Sequence, residues 1–134
     1  MKLANVLSIL LTLVLWLIAT QWIISPESAA LSLNMPYLEG DARNTQVRDF
    51  TAFFLGTSIM ALLSFITKQY QWIFSAGIIF LIAAIFNVLT AFNHETNVAI
   101  SSLIAEIIFT SLALVSAYLY KLNSLKIFYK VIYF

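Results

Sequence analysis

The chain has 134 residues, of which 62% are hydrophobic and only 10% charged, with a net charge of +1 and a mean hydropathy of +0.95. A soluble domain carries about a quarter charged residues, so this composition excludes one and points to an integral membrane protein with room for a single compact bundle. Cysteine is absent, which excludes a disulfide framework, a thiolate nucleophile and a cysteine-based metal site.

A helix needs about twenty apolar residues to cross a hydrocarbon core of about 30 Å. The first such run covers roughly residues 3–24. It opens Met-Lys and is followed by "ESAA", as a secretory signal would be, yet it exceeds the roughly 7–15 apolar residues of a signal and reads as a retained span. A loop over 25–49 follows. Within it, Ser25, Pro26 and Glu27 spell a helix start, with a capping hydroxyl, a proline at the first position and an acid in the first turn. A short interfacial helix through Leu33 is expected, closed by "NMP" at Asn34–Pro36. The "EGD" at Glu39–Asp41 then caps a helix that runs through "ARNTQVRDF" into the second span, 50–66, starting outside the lipid.

The third span is expected over 72–92 and the fourth over 98–120. The connections at Thr67–Gln71 and Asn93–Asn97 are short enough to make neighbouring helices antiparallel hairpins. No alternating strand pattern is present, and helices are the other way to satisfy a backbone in lipid. The fold class is therefore all-α, an integral membrane four-helix up-down-up-down bundle forming one transmembrane domain over 1–134. The tail, 121–134, mixes Lys121, Lys126 and Lys130 with Phe128, Tyr129, Tyr133 and Phe134. Basic residues interleaved with aromatics at the end of a membrane bundle read as an interfacial anchor to the lipid bilayer, not as a nucleic-acid surface.

Charge sets the orientation. With four spans both termini share one side, which holds Lys2, Lys68, Lys121, Lys126 and Lys130; the other side holds only Arg43 and Arg48 as cations. The positive-inside rule places both termini in the cytoplasm and the 25–49 loop outside.

Against this background one carboxylate stands out. Glu106, in "LIAEIIFT", is expected near the bilayer midplane, where a charge costs about 2.5–3.5 kcal/mol on insertion scales and should turn to the bundle interior and find a partner. Ser102, Glu106, Thr110, Ala113 and Ala117 recur at helical spacing and form one small and polar stripe. Gly77, Ala84, Asn87 and Ala91 form a matching stripe on the third helix. Side chains tilt toward their own helix N-terminus, so Asn87 and Glu106, on antiparallel helices, tilt toward one another. Arg48 and Asp49 stand at the mouth of the second span. Arg48 is expected a turn or two above Glu106, within reach directly, through water or through Asn87. Asp49, adjacent to Arg48, is expected to face elsewhere and stay solvated.

The remaining motifs are negative. His94, the only histidine, sits in the polar turn "NHET"; one histidine cannot supply the axial pair of a b-type haem, and a site combining it with Glu95 and Glu106 fails because Glu106 lies about three turns away. No Ser-His-Asp order, nucleophile elbow, phosphate loop or zincin motif occurs. No cofactor, metal or nucleic-acid partner is expected. Trp22, Trp72, Tyr70 and Tyr118–Tyr120 read as interface belts. A pocket lined by Trp16, Phe53, Phe80 and Phe86 around Glu106 is a candidate for an apolar ligand with one polar group.

Taken together, Pro26 in the loop after the first span, Arg48 at the head of the second, Gly56 eight residues on and Glu106 inside the fourth resemble a family of small bacterial four-helix inner-membrane proteins of unknown function, loosely similar in shape to DoxX-like proteins. The resemblance implies a fold and a polar site and no reaction; Asn87 stands near where that family tends to show arginine. Two functions follow as expectations. One is a non-enzymatic accessory or complex subunit that packs against another membrane protein or a second copy of itself. The other is an outward-facing binding site for a small amphipathic molecule, lipid or proton, built on Glu106, Asn87 and Arg48 with Asp49, Ser102 and Thr110 nearby. A subunit should carry small or polar residues on a second face, whereas a ligand site should concentrate them inward.

Overall fold

The computed structural model describes the backbone of residues 1–132 and the side chains of residues 1–126. Phe128, Tyr129, Tyr133 and Phe134, on which the anchor reading of the tail rests, lie outside the described side chains. The elements are α1 (Lys2–Ile24), α2 (Pro26–Ser32), α3 (Gly40–Thr67), α4 (Tyr70–Asn93) and α5 (Ile100–Ile132). Four of them, α1, α3, α4 and α5, are long and apolar enough to cross a membrane, and the chain is a multi-pass helical membrane protein. α1 packs on α3 and α5, α4 packs on α3 and α5, and α2 folds against α1, which closes the four long helices into a ring.

The boundaries follow local chemistry. Pro26 starts α2, with Ser25 at the N-cap position, although the Ser25 hydroxyl makes no capping bond and its carbonyl accepts from Ala29 N instead, at 3.0 Å. α3 starts at Gly40 (φ +56), a left-handed backbone that glycine adopts without strain. Lys68 at φ +58 ends α3 and Gln69 in an extended conformation begins α4, so two residues turn the chain. Between α4 and α5 the turn passes through Glu95 at φ +52, with His94 exposed at the C-cap of α4. The last helix continues past Tyr120 to Ile132, because "KLNSLKIFYK" lacks glycine and proline and nothing in it stops a helix.

The loop between α2 and α3 is held by contacts that sequence reasoning did not anticipate. Gln46, buried on α3, accepts from Leu38 N at 3.1 Å and donates to Pro36 O at 3.1 Å. Arg43 Nε donates to Leu38 O at 2.9 Å, and its guanidinium lies 4.7 Å from the Tyr37 ring centroid. These side chains replace the hydrogen bonds that an irregular backbone would otherwise lack.

In lipid, hydrophobicity drives helices together weakly, so close packing and interhelical hydrogen bonds carry association. Both are present. Ser8 Oγ donates to Ala61 O at 2.7 Å and Ser58 Oγ donates to Thr12 O at 2.9 Å, joining α1 and α3 reciprocally. Ser116 Oγ donates to Ala4 O at 3.0 Å, joining α5 to α1. At the end that holds the N-terminus, Asn5 Oδ1 accepts from Tyr120 Oη at 3.0 Å and from Lys68 Nζ at 3.0 Å, so one side chain gathers α1, α5 and the α3–α4 turn.

Gly77 marks a close approach of α4 and α5. A Cβ there would stand 3.0 Å from Ala113 Cβ and 3.1 Å from Leu114 Cδ2, so only glycine fits without displacement. Overpacking a tight contact costs about 1–3 kcal/mol. Gly77→Val should therefore lower stability by that amount in detergent-induced unfolding, whereas Gly56→Ala, with no atom within 4 Å of the added Cβ, should leave the midpoint in place or raise it.

Candidate functional site

At the end of the bundle remote from the termini, the ring of helices is not filled. A cavity of about 440 Å³ opens there. α1 contributes Ile18, Gln21 and Trp22; the end of α2 contributes Ser32 and Leu33; α3 contributes Asp49, Phe50, Phe53 and Phe54. Phe80 and Ala83 of α4 form another wall, and Ser102, Ala105, Glu106 and Phe109 of α5 complete it. The walls are apolar over most of their area, and the two charged groups among them are both carboxylates.

Aromatic packing shapes those walls. Trp22 is fully buried and stacks on Phe50, with centroids 4.6 Å apart and planes 8° from parallel. Phe80 meets Phe53 at 5.2 Å and Phe109 at 5.1 Å, both edge to face, so one ring of α4 touches α3 and α5 at once. Such pairs add about 0.5–1.5 kcal/mol each beyond simple burial. This corrects the expected aromatic lining. Phe53 and Phe80 do line the cavity, but Trp16 and Phe86 are 52% and 59% exposed on the outer face of the bundle. Trp22, expected in an interface belt, is in the wall.

Glu106 lies half-buried about six residues into α5, or roughly 9 Å at 1.5 Å per residue. That is nearer the loop end than the middle of the membrane-crossing part of α5, which runs from Ile100 to Lys126. Asn87 Nδ2 donates to Glu106 Oε2 at 3.4 Å, a long bond. The amide is committed elsewhere: Nδ2 also donates to Ala99 O at 3.2 Å, and Oδ1 accepts from Ala99 N at 3.0 Å. Asn87 is thus first a clasp on the α4–α5 turn and only secondarily a partner of Glu106. Each of the two backbone bonds contributes about 0.5–1.5 kcal/mol. Asn87→Ala should lose both, which would appear as faster hydrogen exchange at the Ala99 amide with the rest of the bundle protected as before.

The other expected site residues separate. Asp49 and Ser102 line the cavity with Glu106. Arg48 does not approach Glu106; its Nε lies 2.8 Å from Asp49 Oδ1, and the two side chains are 64% and 59% exposed. The expectation that these neighbours face apart fails because the directions of adjacent Cβ atoms do not limit a side chain as long as arginine when nothing packs around it. Exposed pairs of this kind contribute about 0–1 kcal/mol. Arg48 borders a separate surface depression with Pro26, Tyr37 and Arg43. Thr110 is buried and its hydroxyl has no hydrogen-bond partner among the described residues; it lies in the helix packing below the cavity, on the same face as buried Ala113 and Ala117. Among the described residues, no group of three or more His, Cys, Asp or Glu side chains is placed to hold a metal ion.

The arrangement can do two things chemically. It can shelter an apolar body among aromatic rings, and it can offer a carboxylate to whatever polar end that body carries. Comparison with known protein families, characterised proteins and solved structures finds no match to this chain.

Proposed function

We propose that this chain is an inner-membrane protein with both termini in the cytoplasm, which binds a small amphipathic molecule from the outer side in the cavity beside Glu106. The observation that carries the reading is the cavity itself: about 440 Å³, walled by aromatic rings, with Glu106 in its lining and that carboxylate held by one long bond from an amide already occupied. Ligand sites are concave, mostly apolar and sized at about 300–1,000 Å³, with few polar groups. The lysine asymmetry supports the orientation. The outward faces support a lipid-facing exterior on α1 and α4, where Leu3, Leu13, Leu17, Ile82, Phe86 and Phe92 are exposed.

The test is native mass spectrometry of the chain extracted gently from its own membrane. A small-molecule mass should accompany the wild type and be lost in Glu106→Gln, which preserves the size of the side chain and its ability to take a bond from Asn87. Glu106→Leu should lower folded yield as well, since it removes that partner. Retention of the same adduct by Glu106→Gln would reduce Glu106 to a structural clasp.

A second reading, an accessory subunit or homo-oligomer, has one observation in its favour. Ala52 is exposed and Gly56, one turn on along α3, faces open space, and small residues four apart let another helix approach closely. A stoichiometric second polypeptide in the same spectra, abolished by Gly56→Leu, would establish it.

A further inference from the structure

On the reading that the cavity is a binding site, we infer that its ligand is an organic cation, a lipophilic amine or quaternary ammonium compound. The lining contains Asp49 and Glu106 and no lysine, arginine or histidine; Asp49 is paired with Arg48 from outside the lining, so Glu106 is the carboxylate there that an occupant meets without a cation beside it. Six aromatic residues on four helices, Trp22, Phe50, Phe53, Phe54, Phe80 and Phe109, surround the same space. The faces of aromatic rings attract cations, more strongly where water is displaced. An anionic ligand would find no donor of opposite charge, and a neutral one would leave Glu106 without compensation inside an apolar wall.

Among the described residues, no cation fills this role for Glu106. Arg48, the nearest in sequence to the cavity residues, is turned onto Asp49 in solvent and lies outside the lining. Lys68 is bound to Asn5 at the other end of the bundle. Arg43 is held against Tyr37 and Leu38 O. Glu106 accepts only from Asn87 among the described residues, leaving its second oxygen free to meet an ammonium group. The Arg48–Asp49 pair, being exposed, can exchange its guanidinium for a ligand at little cost.

The experiment uses the full chain in phosphatidylcholine nanodiscs, with Trp16→Phe and Trp72→Phe so that emission reports Trp22 in the cavity wall. Three probes of similar shape are titrated: benzyltrimethylammonium, benzyl alcohol and phenylacetate. The cation should bind at least about tenfold more tightly than the alcohol, phenylacetate should bind least, and Glu106→Gln should erase the preference for the cation while keeping the affinity for the alcohol, which also shows that the variant is folded. Equal affinity for cation and alcohol in the parent protein would overturn the cationic assignment and leave a neutral binding cavity. No saturable response to any probe would overturn the binding reading itself, and the cationic assignment with it.

Discussion

Trp22→Ala should destabilise the protein by about 3 kcal/mol, while Trp22→Phe should recover most of that loss. Trp→Ala changes in cores cost about 3–5 kcal/mol, the sum of a transfer contribution and a cavity contribution. In a bilayer the first is weak, because lipid tails solvate an exposed side chain nearly as well as the core does. The second remains in full. Trp22 is completely buried, stacks on Phe50 at 4.6 Å and borders a cavity already present, so its removal enlarges that cavity and leaves the Phe50 face without a neighbour. Phenylalanine keeps the stack and loses only the second ring. Equilibrium unfolding in mixed micelles, read by far-UV circular dichroism, checks both variants. A loss below about 1 kcal/mol for Trp22→Ala would mean that α2 and the 33–39 segment collapse into the space, which binding of an apolar probe would then report as a smaller cavity.

How much of this was legible in the sequence depends on which physical signal each feature leaves. The four spans are legible because length and hydropathy are properties of a run and need no partner. Asn87 and Glu106 meet for a reason also present in the sequence: small residues draw α4 and α5 together, and antiparallel helices tilt their side chains toward each other. The choice between Trp16 and Trp22 is not legible in the same way. On a helix that is apolar on every side, periodicity cannot say which face is core. Trp22 shares a face with buried Leu15 and Ala19, and Trp16 shares one with exposed Leu13 and Leu17, but that pattern emerges only once α3 and α5 are in place. The clasp by Gln46 was missed for a different reason. Its two bonds go to backbone atoms of Pro36 and Leu38, and any polar side chain in a solvated helix entrance would look the same in the sequence. Arg48 was misplaced by a rule for Cβ directions that does not bind a long, exposed side chain.

The cavity is the feature with least sequence signature, since empty space is what the surrounding residues fail to fill, and so the most direct way to establish its role is to fill it. Ala105→Trp should abolish binding of any cavity ligand, lowering affinity by at least about tenfold, while leaving stability unchanged or improved. Ala105 lies on α5 beside Glu106 and lines the cavity, so an indole there has space ahead of it, unlike a larger residue at Gly77, where Ala113 and Leu114 already stand in contact range. Inserted atoms cost about 1–3 kcal/mol only where the core is tightly packed; where a void exists they restore dispersion contacts that its walls lack. The control is Ser111→Trp, on the exposed face of α5, which adds the same ring outside the cavity and should change neither affinity nor stability. Probe titration and unfolding on the same samples separate the outcomes. Binding lost with stability retained in Ala105→Trp, and both retained in Ser111→Trp, places the ligand among Phe53, Phe80 and Phe109; binding retained in both variants would move it to the outer face, where Ala52 and Gly56 offer the other candidate surface.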